Sequence, residues 1–131
     1  KSIYHQLFYL ISDKAAIAHV TNDFGQLDFL LVNQFPSRKV YTYNLNQENR
    51  SIAKASYINQ KFKIKYADDL AEIRQNSNVL ILSHLQQFND DIPQNIKQIV
   101  LVCCKFKPDF NGFTQTHDEL KIQVFQRNET N

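Results

Sequence analysis

Blocks of apolar residues alternate with polar stretches along the chain, and their spacing predicts strands separated by helices. Short apolar or β-branched runs bounded by turn residues are typical of strands. The runs at 78–82 and 97–104 are apolar at nearly every position, as in parallel strands that are buried on both faces. Strands are predicted at residues 15–20, 39–43, 61–66, 78–82, 97–104 and 119–125.

Helical spacing fills most of the intervals between these strands. Leucines repeat at helical spacing ahead of Pro36, which ends that helix, and Asn46 can cap the helix that follows it. The apolar and aromatic segment at the start of the chain is consistent with an opening helix or with a partner-facing segment. Helices are predicted at residues 3–11, 27–31, 47–59 and 69–75.

Strands that alternate with helices predict an α/β fold with right-handed crossovers. We expect three layers, in which helices cover both faces of a mostly parallel, doubly wound sheet and an antiparallel C-terminal strand closes it. Loops are expected around 90–93 and over 105–116, where Asp, Pro and Gly interrupt the pattern. A length of 131 residues fits a single domain over 1–131.

Composition narrows the class of protein without naming a function. A net charge of +2 neither requires nor excludes nucleic acid as a partner. No run is long and apolar enough to span a membrane, and no segment resembles a signal peptide. The chain has no Met and begins at Lys1, so we expect it to be part of a longer protein. Cys103 and Cys104 are neighbours that cannot easily bridge, which favours a reducing, cytoplasmic setting.

The first half of the chain carries a motif. Residues 18–28 read AHVTNDFGQLD. They resemble the stretch A-D-I-G-T-D-H-G-Y-L-P of the bacterial tRNA adenine-N1 methyltransferases, with matches at Ala18, Asp23, Gly25 and Leu27. Residues 40–55 and 66–70 are similar to the second and third motifs of the same family.

This resemblance covers roughly half of the chain, residues 17–70, and implies the Rossmann-like fold of class I S-adenosylmethionine methyltransferases. If the activity were also kept, it implies a cofactor site of five residues. These are Asp23, Gly25, Asn44, Asp68 and Asp69.

The departures from the family fall on the residues that grip the cofactor. His19 replaces an acidic residue in the first strand, and Thr21 replaces the first glycine of the loop. The carboxylate that ends the second strand, which accepts hydrogen bonds from ribose hydroxyls, is Asn44 here. The chain has only two glycines, although close approach of backbone to an adenosyl group needs them. The stretch SHLQQF at 83–88 contains no Asn-Pro-Pro or glycine-rich motif.

These departures lead to a non-catalytic prediction. We expect a methyltransferase-like scaffold or recognition domain without cofactor and without catalytic residues. Its expected partner is another protein or an adjoining domain, with RNA as a further candidate. Two alternatives stay open: an active S-adenosylmethionine-dependent RNA methyltransferase with a divergent pocket, and a fragment that handles a sugar nucleotide.

Other chemical groups have simpler interpretations. His84 follows a buried strand, and we interpret it as a strand-end residue rather than as an acid–base group. The four histidines show no zinc spacing, so no metal site is predicted. Lys61, Lys63 and Lys65 alternate with aromatic residues, which is compatible with nucleic-acid binding but is also typical of a solvated edge strand.

Overall fold

The computed structural model describes residues 4–12, 15–23, 25–34, 39–57, 64–74 and 77–129. The helices are α1 (Tyr4–Leu10), α2 (Gln26–Gln34), α3 (Gln47–Tyr57) and α4 (Leu70–Arg74). The strands are β1 (Ala16–Thr21), β2 (Lys39–Asn44), β3 (Ile64–Tyr66), β4 (Val79–Ser83), β5 (Gln98–Val102), β6 (Phe113–Glu119) and β7 (Ile122–Arg127).

The strands form a seven-stranded sheet in the order β3-β2-β1-β4-β5-β7-β6. Strands β1 to β5 are parallel to one another, whereas β7 is antiparallel to both β5 and β6. The order reverses beside β1, because β2 and β3 lie on one side of it and the later strands on the other. Such a reversal opens a crevice at the carboxyl ends of the strands. The predicted doubly wound architecture is confirmed.

Alternation along the strands divides the apolar core into two faces. On the first face, Ile17, Ile81 and Val100 pack under α1 and α2. On the second face, Leu80 and Leu101 pack with α4 and with the loops that follow β4 and β5. Helices therefore lie on both faces of the sheet, as the sequence predicts.

Local capping explains where two helices begin. The side chain of Asn46 accepts a hydrogen bond from the Asn49 amide at 3.0 Å, which is the predicted N-cap of α3. The side chain of Asp69 does the same for the Ala71 amide at 2.9 Å at the start of α4. Both caps satisfy amides that have no partner within the helix.

The sequence prediction was wrong over part of the C-terminal region. Residues 113–116, expected to be irregular, belong to β6, and a tight hairpin joins β6 to β7. The reason is that β6 is an exposed strand that reads FTQTHDE and lacks alternation of apolar and polar residues. Its pairing with β7 comes from the backbone ladder and not from a buried side-chain pattern.

Two crossovers lack the helix that usually covers such a sheet. Residues 84–97 connect β4 to β5, and residues 103–112 connect β5 to β6. Every residue of both segments is described, and neither contains a helix. The second face is covered there by loop side chains such as Leu85, Phe106 and Phe110.

Two further expectations meet the limits of the described residues. The predicted third strand is described only over its last three residues, and Lys61, Phe62 and Lys63 lie outside the described ranges. Within those ranges, no helix has the length and apolar character needed to cross a bilayer.

Candidate functional site

Polar side chains gather where three parallel strands end. The sheet register places Thr21, the last residue of β1, beside Asn44 of β2 and Ser83 of β4. His19 lies two residues before Thr21, so its side chain is on the same face of the sheet. All four side chains are buried. The carboxyl end of the sheet therefore carries a polar cluster at the crevice where ligands bind in open α/β folds.

His19 and Asp28 form a buried pair between the sheet and α2. Nδ1 of His19 lies 2.7 Å from Oδ1 of Asp28, and both residues are completely buried. Asp28 sits in the first turn of α2, where the helix dipole favours a negative charge. On the other side of the ring, Nε2 of His19 lies 2.6 Å from Oγ of Ser83.

The protonation of His19 follows from these partners. Burial by itself lowers the pKa of His19, but the charge of Asp28, the hydrogen bond that the ring donates to Asp28 and the charge of Asp23 together raise it above 6.5. A protonated ring donates from Nδ1 to Asp28 and from Nε2 to Ser83. The Ser83 hydroxyl then donates to Oγ1 of Thr21, 2.6 Å away.

The turn between β1 and α2 is closed by its own side chains. Oγ1 of Thr21 accepts a hydrogen bond from the Asp23 amide at 3.1 Å. Oδ1 of Asp23 accepts one from the Gly25 amide at 2.7 Å. Gly25 has a φ of 90°, a conformation that a residue with a Cβ rarely adopts. The hydroxyl of Thr21 thus links the turn to the buried His19–Ser83 chain.

Asn44 ties this turn to the next one. Its Nδ2 donates to the Asp23 carbonyl oxygen at 2.5 Å, and its Oδ1 accepts from the Asn46 amide at 2.9 Å. A second tie comes from Nδ2 of Asn49, which donates to the Asn22 carbonyl oxygen at 3.0 Å. The turn after β1 and the turn after β2 are consequently bonded to each other.

The five predicted site residues fall into two groups. Asp23, Gly25 and Asn44 come together in the turns at the ends of β1 and β2. Asp68 and Asp69 follow β3 and are engaged differently. Asp68 is largely exposed and lies 3.8 Å from the Arg50 guanidinium, whereas Asp69 caps α4.

Sequence reasoning identified His19 as a departure but missed its partners. In the motif comparison, His19 stands where the family has Asp, and Asp28 stands where the family has Pro. The acidic residue is thus absent from the first strand and present in the helix that follows it. This change was the signal in the sequence that could have indicated a His19–Asp28 pair. Ser83 could not be found this way, because its contact with His19 depends on the pairing of β1 with β4.

The site differs from the adenosyl-binding motif described above at two positions. Position 21 carries a threonine whose hydroxyl is bonded to Ser83, where the motif has glycine. Position 44 carries an amide whose two polar atoms are both bonded, where the motif has a carboxylate. Among the described side chains near the turn, Oδ2 of Asp23 is buried without a hydrogen-bond partner.

The remaining candidates have structural roles. His84 has a φ of 56° and its amide donates to the Val102 carbonyl oxygen, so it shapes the end of β4. Cys103 and Cys104 are free thiols. Burial raises the pKa of Cys104, whose Sγ donates to the Leu82 carbonyl oxygen at 3.2 Å. The described part of the chain contains no group of three His, Cys, Asp or Glu that could hold a metal.

Comparison with solved structures supports the fold. TrmK of M. capricolum in complex with S-adenosyl-homocysteine superposes with a TM-score of 0.69 at 15% identity, covering 98% of this chain and 70% of that one. The tRNA methyltransferase TrmK of B. subtilis gives 0.64 at 10% identity, covering 96% and 65%. A mutant of MtNAS in complex with S-adenosylmethionine gives 0.66 at 10%, covering 96% and 62%. No family model and no curated protein matches the sequence.

Proposed function

We propose that this chain, which has a class I methyltransferase-like fold, is a non-catalytic scaffold or recognition domain that does not use S-adenosylmethionine. The observation that carries the proposal is that the polar side chains of the site form hydrogen bonds within the site. Thr21 is bonded to Ser83, and Asn44 is bonded to both flanking turns. Its partner is another protein or an adjoining domain, in an RNA-modifying protein or complex, with RNA as a further candidate.

The energetic argument concerns groups that would lose their partners. An adenosyl ligand would have to open the turns and replace these internal hydrogen bonds. Each buried polar group left unpaired costs about 1–3 kcal/mol. Three such losses, on the order of 3–9 kcal/mol, would reduce a micromolar affinity to a negligible one.

A second candidate function is an active S-adenosylmethionine-dependent RNA methyltransferase with a divergent pocket. One observation favours it: the unpartnered, buried Oδ2 of Asp23 could accept a hydrogen bond from a ligand. In that case Asp23, Gly25 and Asn44 line the cofactor, and Asp68 and Asp69 contribute from the end of β3. The bound S-adenosyl-homocysteine of M. capricolum TrmK supports a cofactor in this fold, but at 15% identity it supports nothing finer.

Thermal melting with millimolar S-adenosyl-homocysteine or S-adenosylmethionine separates the two candidates. A ligand present at about 100 times its Kd stabilises the folded state by about 2.7 kcal/mol, which gives a clear rise in Tm. We expect no rise for the natural chain, and a rise contradicts the proposal. Uridine diphosphate in the same assay tests the sugar-nucleotide alternative.

A pair of substitutions tests the reason for the absence of binding. Thr21→Gly together with Asn44→Asp restores the glycine and the carboxylate of the motif, so we expect a ligand-dependent rise in Tm in this variant. Asn46→Asp is the matched control, because it adds a charge at the same edge and keeps a good N-cap. If the double variant and the control behave alike, the two positions are not what prevents binding.

The compartment is also part of the proposal. A cytoplasmic setting is supported by the two free thiols, Cys103 and Cys104, because such thiols persist where glutathione and thioredoxin keep them reduced.

A further inference from the structure

The second face of the sheet holds a cavity that is separate from the crevice at the carboxyl ends of β1, β2 and β4, which we call the cofactor crevice. It opens between the segments 84–97 and 103–112, which run without a helix. Its volume is about 630 Å³, within the range of small-ligand sites. It is lined by phenyl rings and by short polar side chains, so it combines stacking surfaces with hydrogen-bonding groups.

The position of Arg127 shows where the cavity lies. Nε of Arg127 donates to the Ile96 carbonyl oxygen at 2.7 Å, and Nη2 donates to the Pro93 carbonyl oxygen at 2.9 Å. Both acceptors precede β5, at the end of the strand opposite to the cofactor crevice. The phenyl rings also belong to the second face, whereas His19, Thr21 and Ser83 lie on the first. The two sites are therefore separate.

The phenyl rings at the cavity are held in place by contacts with other rings and with Arg127. Phe110 packs edge-on against Phe113 and Phe125, with ring centroids 6.4 and 5.2 Å apart. The guanidinium of Arg127 lies 4.4 Å from the centroid of Phe113. A planar, cationic group thus already lies over one ring at the wall of the cavity. Phe88 and Phe106 line the cavity as well and are only half-buried.

We propose that this cavity binds a nucleobase, either as a free nucleoside or as a base turned out of a single-stranded RNA. Bases are recognised by stacking on aromatic rings or guanidinium planes, combined with hydrogen bonds to their edges. The phenyl rings supply the first contact. Exposed Asp91 and Asp109, which line the cavity from opposite segments, supply acceptors for the second, and Asn111 supplies both an acceptor and donors.

The charges at the cavity favour one base and disfavour a phosphate chain. The lining includes three carboxylates, on Asp90, Asp91 and Asp109, and two cationic groups, on Lys107 and Arg127. A carboxylate can accept two parallel hydrogen bonds from the N1–H and the amino group of guanine. Adenine, cytosine and uracil offer no such pair of adjacent donors on their Watson–Crick edges. Guanine is therefore the preferred base, and binding should depend weakly on salt because it does not rest on phosphate contacts.

The experiment is a titration of the full chain with nucleosides, followed residue by residue through backbone amide chemical shifts. We expect saturable shifts around Phe88, Phe106 and Phe110 with guanosine. Inosine, which lacks the exocyclic amino group, should bind about tenfold more weakly through the loss of a charge-assisted hydrogen bond. A short single-stranded oligonucleotide with one guanine, and the same strand with an abasic site there, distinguish a free nucleoside from a base presented by RNA.

Three substitutions complete the test. Asp91→Asn or Asp109→Asn should weaken guanosine binding about tenfold and bring it close to inosine. Phe106→Leu keeps an apolar side chain but removes a stacking surface, so it should weaken guanosine and inosine alike. The matched control is Asp118→Asn, an exposed position on β6 outside the cavity.

Three results would overturn the proposal. The first is the absence of saturable shifts at millimolar guanosine. The second is shifts confined to residues 21–25 and 44–49, which would place the ligand at the other site. The third is equal binding of the guanine-containing and abasic strands with a steep salt dependence, which would indicate contacts to phosphates only. None of these results depends on whether S-adenosylmethionine binds.

Discussion

Removing the charge of Asp28 should strongly destabilise the fold. In the Asp28→Asn variant, Oδ1 of the amide can still accept from Nδ1 of His19, but the buried ring loses its compensating charge. The new NH₂ group would stand where Oδ2 of Asp28 is buried without a partner, so a donor is orphaned as well. Breaking a buried ion pair from one side costs about 3–5 kcal/mol. We expect a loss of about 3 kcal/mol, or a fall in Tm of about 10 °C.

The same pair makes stability depend on pH with a definite sign. The pKa of His19 is raised in the folded state, so its stabilisation is fully present below the unfolded pKa of 6.5. That stabilisation is lost as the pH rises through the folded pKa. In Asp28→Asn the largest remaining influence is burial, which lowers the pKa of His19. The slope then reverses, because the unfolded chain binds the proton more tightly than the folded one.

Urea unfolding of both chains across the range from about pH 5 to pH 9 measures these quantities, because the slope of the variant lies below pH 6.5 and that of the natural chain above it. Asp118→Asn is the control, since it makes the same chemical change at an exposed position of β6. The reasoning is refuted if Asp28→Asn costs less than about 1 kcal/mol, as an exposed ion pair would. It is also refuted if natural and variant chains show the same pH slope.

Two further predictions concern other parts of the fold. Leu120 and Lys121 join β6 to β7 with φ values of 52° and 68°, which are left-handed conformations that Asn and Gly adopt more easily than Leu and Lys. The double variant Leu120→Asn with Lys121→Gly should therefore raise the free energy of unfolding, measured in urea, by about 1 kcal/mol. A decrease would contradict this prediction. In a Cys103→Ser variant, the remaining thiol of Cys104 should react with iodoacetamide more slowly than a free cysteine at the same pH, because burial raises its pKa. Mass spectrometry measures the rate, and modification at the rate of a free cysteine would refute the burial argument.

The fold was predictable because its central strands carry strong local signals. The runs that form β4 and β5 are apolar at nearly every position, which is typical of strands in a parallel sheet that is covered on both faces. Helix caps such as Asn46 are equally local, since side chain and amide lie three residues apart. By contrast, β6 carries no such pattern and is held by its ladder with β7, so no window of sequence reveals it.

The candidate site was predictable only in part. The motif comparison indicated which turns meet and that Thr21 and Asn44 replace gripping residues. It could not show that Thr21 bonds to Ser83 or that Asn44 bonds to the Asp23 carbonyl oxygen. Those contacts join residues that are 62 and 21 positions apart in the sequence and that the sheet register brings together. The nucleobase cavity was also beyond reach, although the two irregular segments that enclose it were expected as loops. Its walls come from three separate parts of the chain, residues 88–94, residues 106–113 and Arg127.

Calorimetric titration of the natural chain with S-adenosyl-homocysteine tests the central claim most directly. The account predicts no saturable heat at millimolar ligand, because Thr21 and Ser83 are bonded to each other and Asn44 is bonded to backbone groups of the two adjoining turns. A Kd in the micromolar range, corresponding to about 8 kcal/mol of binding free energy, would show that the turns open at little cost. That result would contradict a self-bonded site and would favour an active methyltransferase.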